Sequence, residues 1–260
     1  MVNAIDQAFQ KRRRTLLMTH VVAGYPSLAG SAELVVAMAA AGADMVEIQI
    51  PFSDPLADGP TIMAANQVAL KNGTRPEDVF CMVEELKSHV KSPLLLMTYA
   101  NIPFRLGWHK FASSCKRCGA AGAIVPDLPY DEKGNGLRSA MRRRGLHFIE
   151  VVSPGISSAR LAVITAGASG FLYLTLRIGV TGAVPGLENR GTHFLEQLKS
   201  FCRLPLATGF GISTFAHLAA LKDKSDALVI GSRLIDLHRE QGTAAVVRFV
   251  GECRSRLETV

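Results

Sequence analysis

Glu47 stands in DMVEIQIP, an otherwise apolar run, and Asp58 follows eleven residues later in PFSDPLADGPT. A carboxyl surrounded by apolar side chains has its pKa raised, which suits general acid/base work near neutral pH. A structural reading of Glu47 stands beside this one, a buried carboxylate held in a hydrogen-bond network. The segment PFSDPLADGPT holds two Asp, three Pro and one Gly in eleven residues. Its prolines limit flexibility, and both aspartates can accept from local backbone donors or from a ligand. Asp54 reads equally well as a turn-former. The glycines of TGFGIS and IGS, late in the chain, would let backbone N–H groups approach an anion. A helix beginning near Ser232 would aim its N-terminus at the same place. RIGVTGAVPGLENRG, with four Gly in fifteen residues, reads as a lid loop.

These residues need a scaffold that brings them together. Short apolar strands are predicted at 16–22, 44–50, 93–99, 122–126, 147–152, 170–175, 204–208 and 226–230. Helical patterns lie near 28–41, 61–90, 108–118, 131–144, 157–166, 191–201, 213–223 and 243–257, with an extra N-terminal helix near 2–13. Strands that alternate with helices imply parallel pairing, and near-continuous apolar strands imply burial on both faces. Eight such units in 260 residues predict a single (β/α)8 TIM-barrel domain spanning 1–260. An open Rossmann sheet would want G-x-G-x-x-G after its first strand, and AGYPSLAG lacks that spacing. In a barrel, chemistry gathers at the C-terminal ends of the strands. The period of two turns Val46, Ile48 and Ile50 toward the helices and Glu47 and Gln49 toward the axis. Asp58 then belongs at the same mouth as Glu47.

Composition removes several other functions. Apolar residues make up 48% of the chain, enough for a large core, but no run approaches the ~20 residues of a membrane helix. KRRRTLLMTHVVAGYP resembles a signal peptide only superficially, because Thr19 and His20 interrupt it and a strand–loop pattern follows. A cytoplasmic location is expected. The net charge of +7 concentrates in Arg12–Arg14 and Arg142–Arg144, both placed on predicted helices and neither interleaved with aromatics, so nucleic acid is not an expected partner. Cys115 and Cys118 form a lone C-x-x-C near a helix end and read as reduced structural thiols. The histidines His89, His109, His147, His193, His217 and His238 show no metal-ligand spacing and read as structural or surface residues. No metal is expected. Trp108 reads as the anchor of a helix start.

VEIQIPFSDPLADGPTI, PDLPYDE, YLTLRIGVTG, ENRG, GFGIS and IGS together resemble the tryptophan synthase alpha subunit family, in order and with matching spacing from about Val21 to Ile235. The resemblance implies a (β/α)8 barrel that cleaves indole-3-glycerol phosphate to indole and glyceraldehyde 3-phosphate. Indole would pass to a beta subunit, in an alpha2-beta2 heterotetramer. It implies no cofactor of the chain's own, pyridoxal phosphate being expected only in the beta partner. Glu47 matches the family's catalytic acid/base and Asp58 the carboxylate that binds the indole N–H. Thr181 matches the lid residue that bonds this Asp. Gly182, Gly211, Gly231 and Ser232 match the phosphate-binding amides. Tyr99 and Phe210 match indole-pocket positions, Tyr173 lies at the same rim, and Asp54 matches a beta-contact residue.

The chain departs from the pattern at five positions. Gln49 replaces a usual Gly, where an amide could bond Glu47 or narrow the site. His20 stands where a Phe is common, Tyr25 replaces a usual Asp, and Leu176 and Ile178 replace smaller residues. Two other readings use the same residues: a stand-alone lyase that releases free indole, and a non-catalytic barrel that binds a beta subunit.

Overall fold

The computed structural model describes residues 2–131, 136–175, 187–209 and 211–258, the side chains of 187–192 and 201 excepted. Eight parallel strands close into a barrel in chain order. They are β1 (Leu16–Val22), β2 (Met45–Gln49), β3 (Leu94–Met97), β4 (Gly122–Ile124), β5 (His147–Val152), β6 (Leu172–Thr175), β7 (Leu206–Gly209) and β8 (Ala227–Ile230). The β8–β1 ladder, with Leu17 opposite Leu228, closes the ring. The described helices are α1 (Ala4–Lys11), α2 (Leu28–Ala40), α3 (Pro60–Lys71), α4 (Pro76–Leu86), α5 (Asn101–Leu106), α6 (Trp108–Cys118), α7 (Leu137–Arg142), α8 (Ser158–Gly167), α9 (Leu187–Phe201), α10 (Phe215–Leu221) and α11 (Ser232–Glu258). No helix among the described residues is long and apolar enough to cross a membrane.

Strand alternation sorts the side chains into two cores. Leu17, Val21, Val46, Ile48, Leu96 and Leu228 face outward and join the helices. Met18, Met45, Leu95, Ile124, Ile149 and Val229 fill the barrel interior. The N-terminal end of the barrel is plugged by α1, whose Ile5 and Phe9 join the interior cluster. Phe9 meets Phe171 at 5.6 Å between ring centroids. Asn3 caps α1 by accepting from the Ile5 N–H at 2.9 Å. Its amide donates to the carbonyls of Ala121 at 2.8 Å and Gly145 at 2.9 Å, which ties the plug to the barrel.

The structure corrects several expected boundaries. The helical pattern at 61–90 is two helices, because Gly73 adopts φ 81° and Pro76 starts α4 afresh. The Arg75 N–H donates to Asp78 at 2.8 Å and fixes that new start. The helix α5 has no counterpart among the expected patterns. Arg12–Arg14 follow α1 instead of lying on it. Arg12 pairs with Asp226 at 2.6 Å, and Arg14 forks onto both oxygens of Asp44 at 2.8 and 2.9 Å. Trp108 is the first residue of α6, with Gly107 at φ 85° before it. Cys115 and Cys118 are buried on α6, and the Cys118 thiol donates to the Cys115 carbonyl at 3.2 Å. Burial pushes both thiols up, Cys118 to about 11, so neither is a ready nucleophile or redox group.

Replacing Phe9 with Ala removes the larger ring of the plug. Phe9→Ala is expected to cost about 3 kcal/mol in a urea unfolding curve, as large-to-small changes in a packed core do. An unchanged midpoint would show that α1 does not seal the barrel.

Candidate active site

Glu47 and Gln49 project from β2 into the upper interior, as the period of two predicts. Glu47 is 3% exposed and Gln49 fully buried. The β1–β2 register sets His20 opposite Glu47. Nδ1 of His20 lies 3.4 Å from Oε2 of Glu47, an ion-pair separation and longer than a well-directed hydrogen bond. Burial alone would lower the His20 pKa, but the Glu47 and Asp58 carboxylates outweigh it and raise the pKa above 6.5.

Asp58 comes from the loop after β2. Its backbone N–H donates to the Pro55 carbonyl at 2.9 Å, which turns the side chain inward. Oδ2 accepts twice, from Gln49 Nε2 at 2.7 Å and from the Tyr99 hydroxyl at 2.9 Å. Burial raises the Asp58 pKa, while the donors Gln49 and Tyr99 and the charge of His20 oppose the rise. The Gln49 amide therefore serves Asp58 and not Glu47. Tyr99 in turn accepts from the Ala57 N–H at 3.2 Å and stacks on Phe52 at 5.3 Å. Burial and the Asp58 charge push its phenol well above its ordinary value. Asn66 of α3 holds the near end of the loop, accepting from the Phe52 N–H at 2.9 Å and donating to the Ile62 carbonyl at 2.9 Å.

A cavity of about 270 Å³ opens above these groups. His20, Glu47, Asp58 and Tyr173 supply polar atoms to it, and Met97, Ile124, Val151 and Val229 supply apolar wall. Its rim carries Gly211, Ser213, Gly231, Ser232 and Arg233. Ser232 begins α11, whose first turn leaves backbone N–H groups without helical partners. Free N–H groups at a helix start suit an anion, whereas the Arg233 guanidinium lies over the Phe249 ring, 5.8 Å from its centroid. Tyr173, on β6, lies against Gly209: a Cβ there would sit 2.6 Å from the Tyr173 hydroxyl oxygen. Burial and the two carboxylates push the Tyr173 phenol well above its ordinary value.

Glu47, Asp58, Tyr173, Gly211, Gly231 and Ser232 thus meet at one cavity. Tyr99 sits behind Asp58 and does not line the cavity. Thr181, Gly182 and Phe210 lie outside the described residues, as do Leu176 and Ile178. Asp54 is exposed and accepts from the Ser53 hydroxyl. Tyr25, just past the end of β1, packs edge-on to His238 of α11 at 6.5 Å. Sequence reading missed Asn66, Gly209 and Arg233. Only Arg233 carried a signal, its place beside Ser232; the other two act through contacts with residues far away in sequence. Among the described residues, no three His, Cys, Asp or Glu side chains converge as metal ligands.

The family model described as tryptophan synthase alpha chain matches residues 7–256. The tryptophan synthase alpha chain of Syntrophotalea carbinolica is 41% identical over 239 residues, 92% of this chain and 94% of that one. That of Desulforapulum autotrophicum is 39% identical over 250 residues, covering 96% and 98%. A structure of Mycobacterium tuberculosis tryptophan synthase superposes with a TM-score of 0.92 at 28% identity, covering 100% of both chains.

The clamp on Asp58 is open to direct measurement. A donor to the ionised carboxylate favours that form, so losing the donor raises the pKa. In Gln49→Met, Asp58 should titrate at higher pH than in the unsubstituted chain, read by carboxyl 13C NMR. A folded pKa above the unfolded value stabilises the fold at low pH, and that contribution is lost as pH rises through the folded pKa. The Gln49→Met chain should therefore keep it to higher pH. A downward shift of the Asp58 titration would show that Gln49 does not hold the carboxylate.

Proposed function

This chain belongs to the tryptophan synthase alpha chain family, and from that premise we propose that it cleaves indole-3-glycerol phosphate to indole and glyceraldehyde 3-phosphate, using Glu47 and Asp58. The observation that carries this reading is the meeting of both carboxylates in one half-apolar cavity whose rim suits an anion. The phosphate would rest on the backbone of Gly211, Gly231 and Ser232. The indole ring would lie against the apolar wall and Tyr173. Asp58 would accept the indole N–H and stabilise the positive charge that appears on protonation of C3. That role needs an ionised carboxyl, and Gln49, Tyr99 and His20 supply the donors and charge that oppose its neutralisation. Glu47 would give a proton to C3 and take one from the adjacent hydroxyl as the carbon–carbon bond breaks. The protonated ring is itself the electron sink, so the chain needs no cofactor of its own. Thr181, Gly182 and Phe210 enter this reading through the family resemblance alone, as lid, phosphate and indole contacts.

We further propose a cytoplasmic, single-domain subunit over residues 1–260, without a nucleic-acid partner. A beta subunit carrying pyridoxal phosphate would receive the indole, in an alpha2-beta2 assembly. Two large apolar side chains support a partner at the catalytic face: Leu56, 81% exposed after β2, and Phe104, 70% exposed on α5 after β3.

Glu47→Gln keeps the shape and removes the proton carrier; indole release should fall by at least about 10²-fold. Full activity in that variant would remove Glu47 from the mechanism. Phe104→Asp replaces one of these exposed apolar side chains with a charge. It should abolish stimulation by added beta subunit and leave the unassisted rate unchanged. Undiminished stimulation would place the partner elsewhere.

A further inference from the structure

His20 enters the reaction above only through its charge beside Asp58 and moves no proton in it. It is 5% exposed, too deep for a surface histidine, and it lines the cavity. Its Nδ1 faces Glu47 Oε2 at 3.4 Å, while Nε2 has no hydrogen-bond partner among the described residues. A Cβ on Gly231 would lie 3.4 Å from the His20 Cβ and 3.7 Å from Cδ2, so the imidazole edge runs beneath the rim. His20 therefore spans the space between the acid/base carboxylate and the anion-binding end. A buried imidazole beside a carboxylate is placed to exchange a proton with it.

We propose that His20 and Glu47 work as a two-site proton carrier, His20 holding the proton at rest and Glu47 delivering it to the bound substrate. The proposal rests on the lyase reading. At rest the pair is imidazolium and carboxylate. The Nδ1 proton passes to Glu47 Oε2, leaving a neutral imidazole and a carboxylic acid. Glu47 then protonates indole C3, the ring π electrons forming the new C–H bond. As the carbon–carbon bond breaks, its electrons restore the ring and neutralise the nitrogen. The hydroxyl proton goes to the Glu47 carboxylate, and the O–H electrons form the aldehyde C=O. Return of that proton to Nδ1 resets the pair with no net proton gained or lost. Burial opposes a charge on His20, and the neighbouring carboxylates favour its protonated form. The titratable groups that line the cavity with this pair are Asp58 from the loop after β2 and Tyr173 from β6, while the Arg233 guanidinium of α11 lies over the Phe249 ring.

Two measurements test the pair. Histidine labelled at Cε1 gives an NMR titration of His20, assigned by its absence in His20→Phe. In the unsubstituted chain its midpoint should lie above 6.5. In Glu47→Gln it should fall, because burial then acts with one carboxylate fewer against it. An identical midpoint in both chains overturns the proposal, and this readout needs no activity. In His20→Phe, and in the smaller His20→Asn, kcat for indole release should drop by about 10²-fold with a lesser change in KM. The pH profile of kcat should change, because the proton is then no longer shared with an imidazole. A thermal unfolding midpoint near that of the unsubstituted chain separates this loss from misfolding. Unchanged kcat and pH profile in both variants overturn the proposal. If the unsubstituted chain releases no indole, with or without a beta subunit, the lyase reading fails; the titration still decides whether His20 and Glu47 share a proton.

Discussion

Three ionisable side chains, His20, Glu47 and Asp58, share the closed upper interior of one barrel, none more than 5% exposed. A single charge at such depth costs several kcal/mol or more unless it is paired or neutralised. The group tolerates burial because its members compensate one another. His20 sits against Glu47, while Gln49 and Tyr99 donate to Asp58. The remaining polar atoms, Glu47 Oε2 and His20 Nε2 among them, are left without a well-directed hydrogen bond. The same low dielectric that makes these groups costly makes their action on a developing charge large.

Much of the remaining architecture holds this group in place. The β1–β2 register puts His20 level with Glu47, and a shift of one residue would turn one of them toward the helices. Asn66 fastens the loop that carries Asp58. Tyr99, stacked on Phe52, backs Asp58 from below. Gly209 leaves the space that Tyr173 fills. These residues need not touch a substrate; they fix the positions of those that do, which is the part of a site that tolerates least error.

The two ends of the barrel divide the work. At the N-terminal end, α1 plugs the interior and the ion pairs Arg14–Asp44 and Arg12–Asp226 lie near the strand starts. These charges are paired, further bonded to nearby backbone groups and partly solvated. At the C-terminal end the charges are clustered, dry and incompletely bonded. The separation follows from the fold, because every strand points the same way and every loop after a strand opens on one face.

The amino-acid sequence by itself determined the barrel, the parity of each strand and the two carboxylates. Alternation along β2 is a local property, and it alone turns Glu47 inward. The strand rhythm is likewise local, which is why all eight strands were legible within a few residues. Helix breaks were less so: a pattern at 61–90 conceals the turn at Gly73, because apolar spacing continues across it. Partnerships were not legible. Gln49 shares a face with Glu47, and sequence placed its amide equally well on Glu47 or in the open site. The structure gives it to Asp58, because the loop folds back over the end of β2 and Glu47 already has His20. His20 read as a replaced pocket residue until the closed ring set it 3.4 Å from Glu47. Gly209 and Asn66 carry no mark in the sequence. Asn66 matters through the fold of the loop it fastens, and Gly209 through Tyr173 on the neighbouring strand, so only the folded chain gives them meaning.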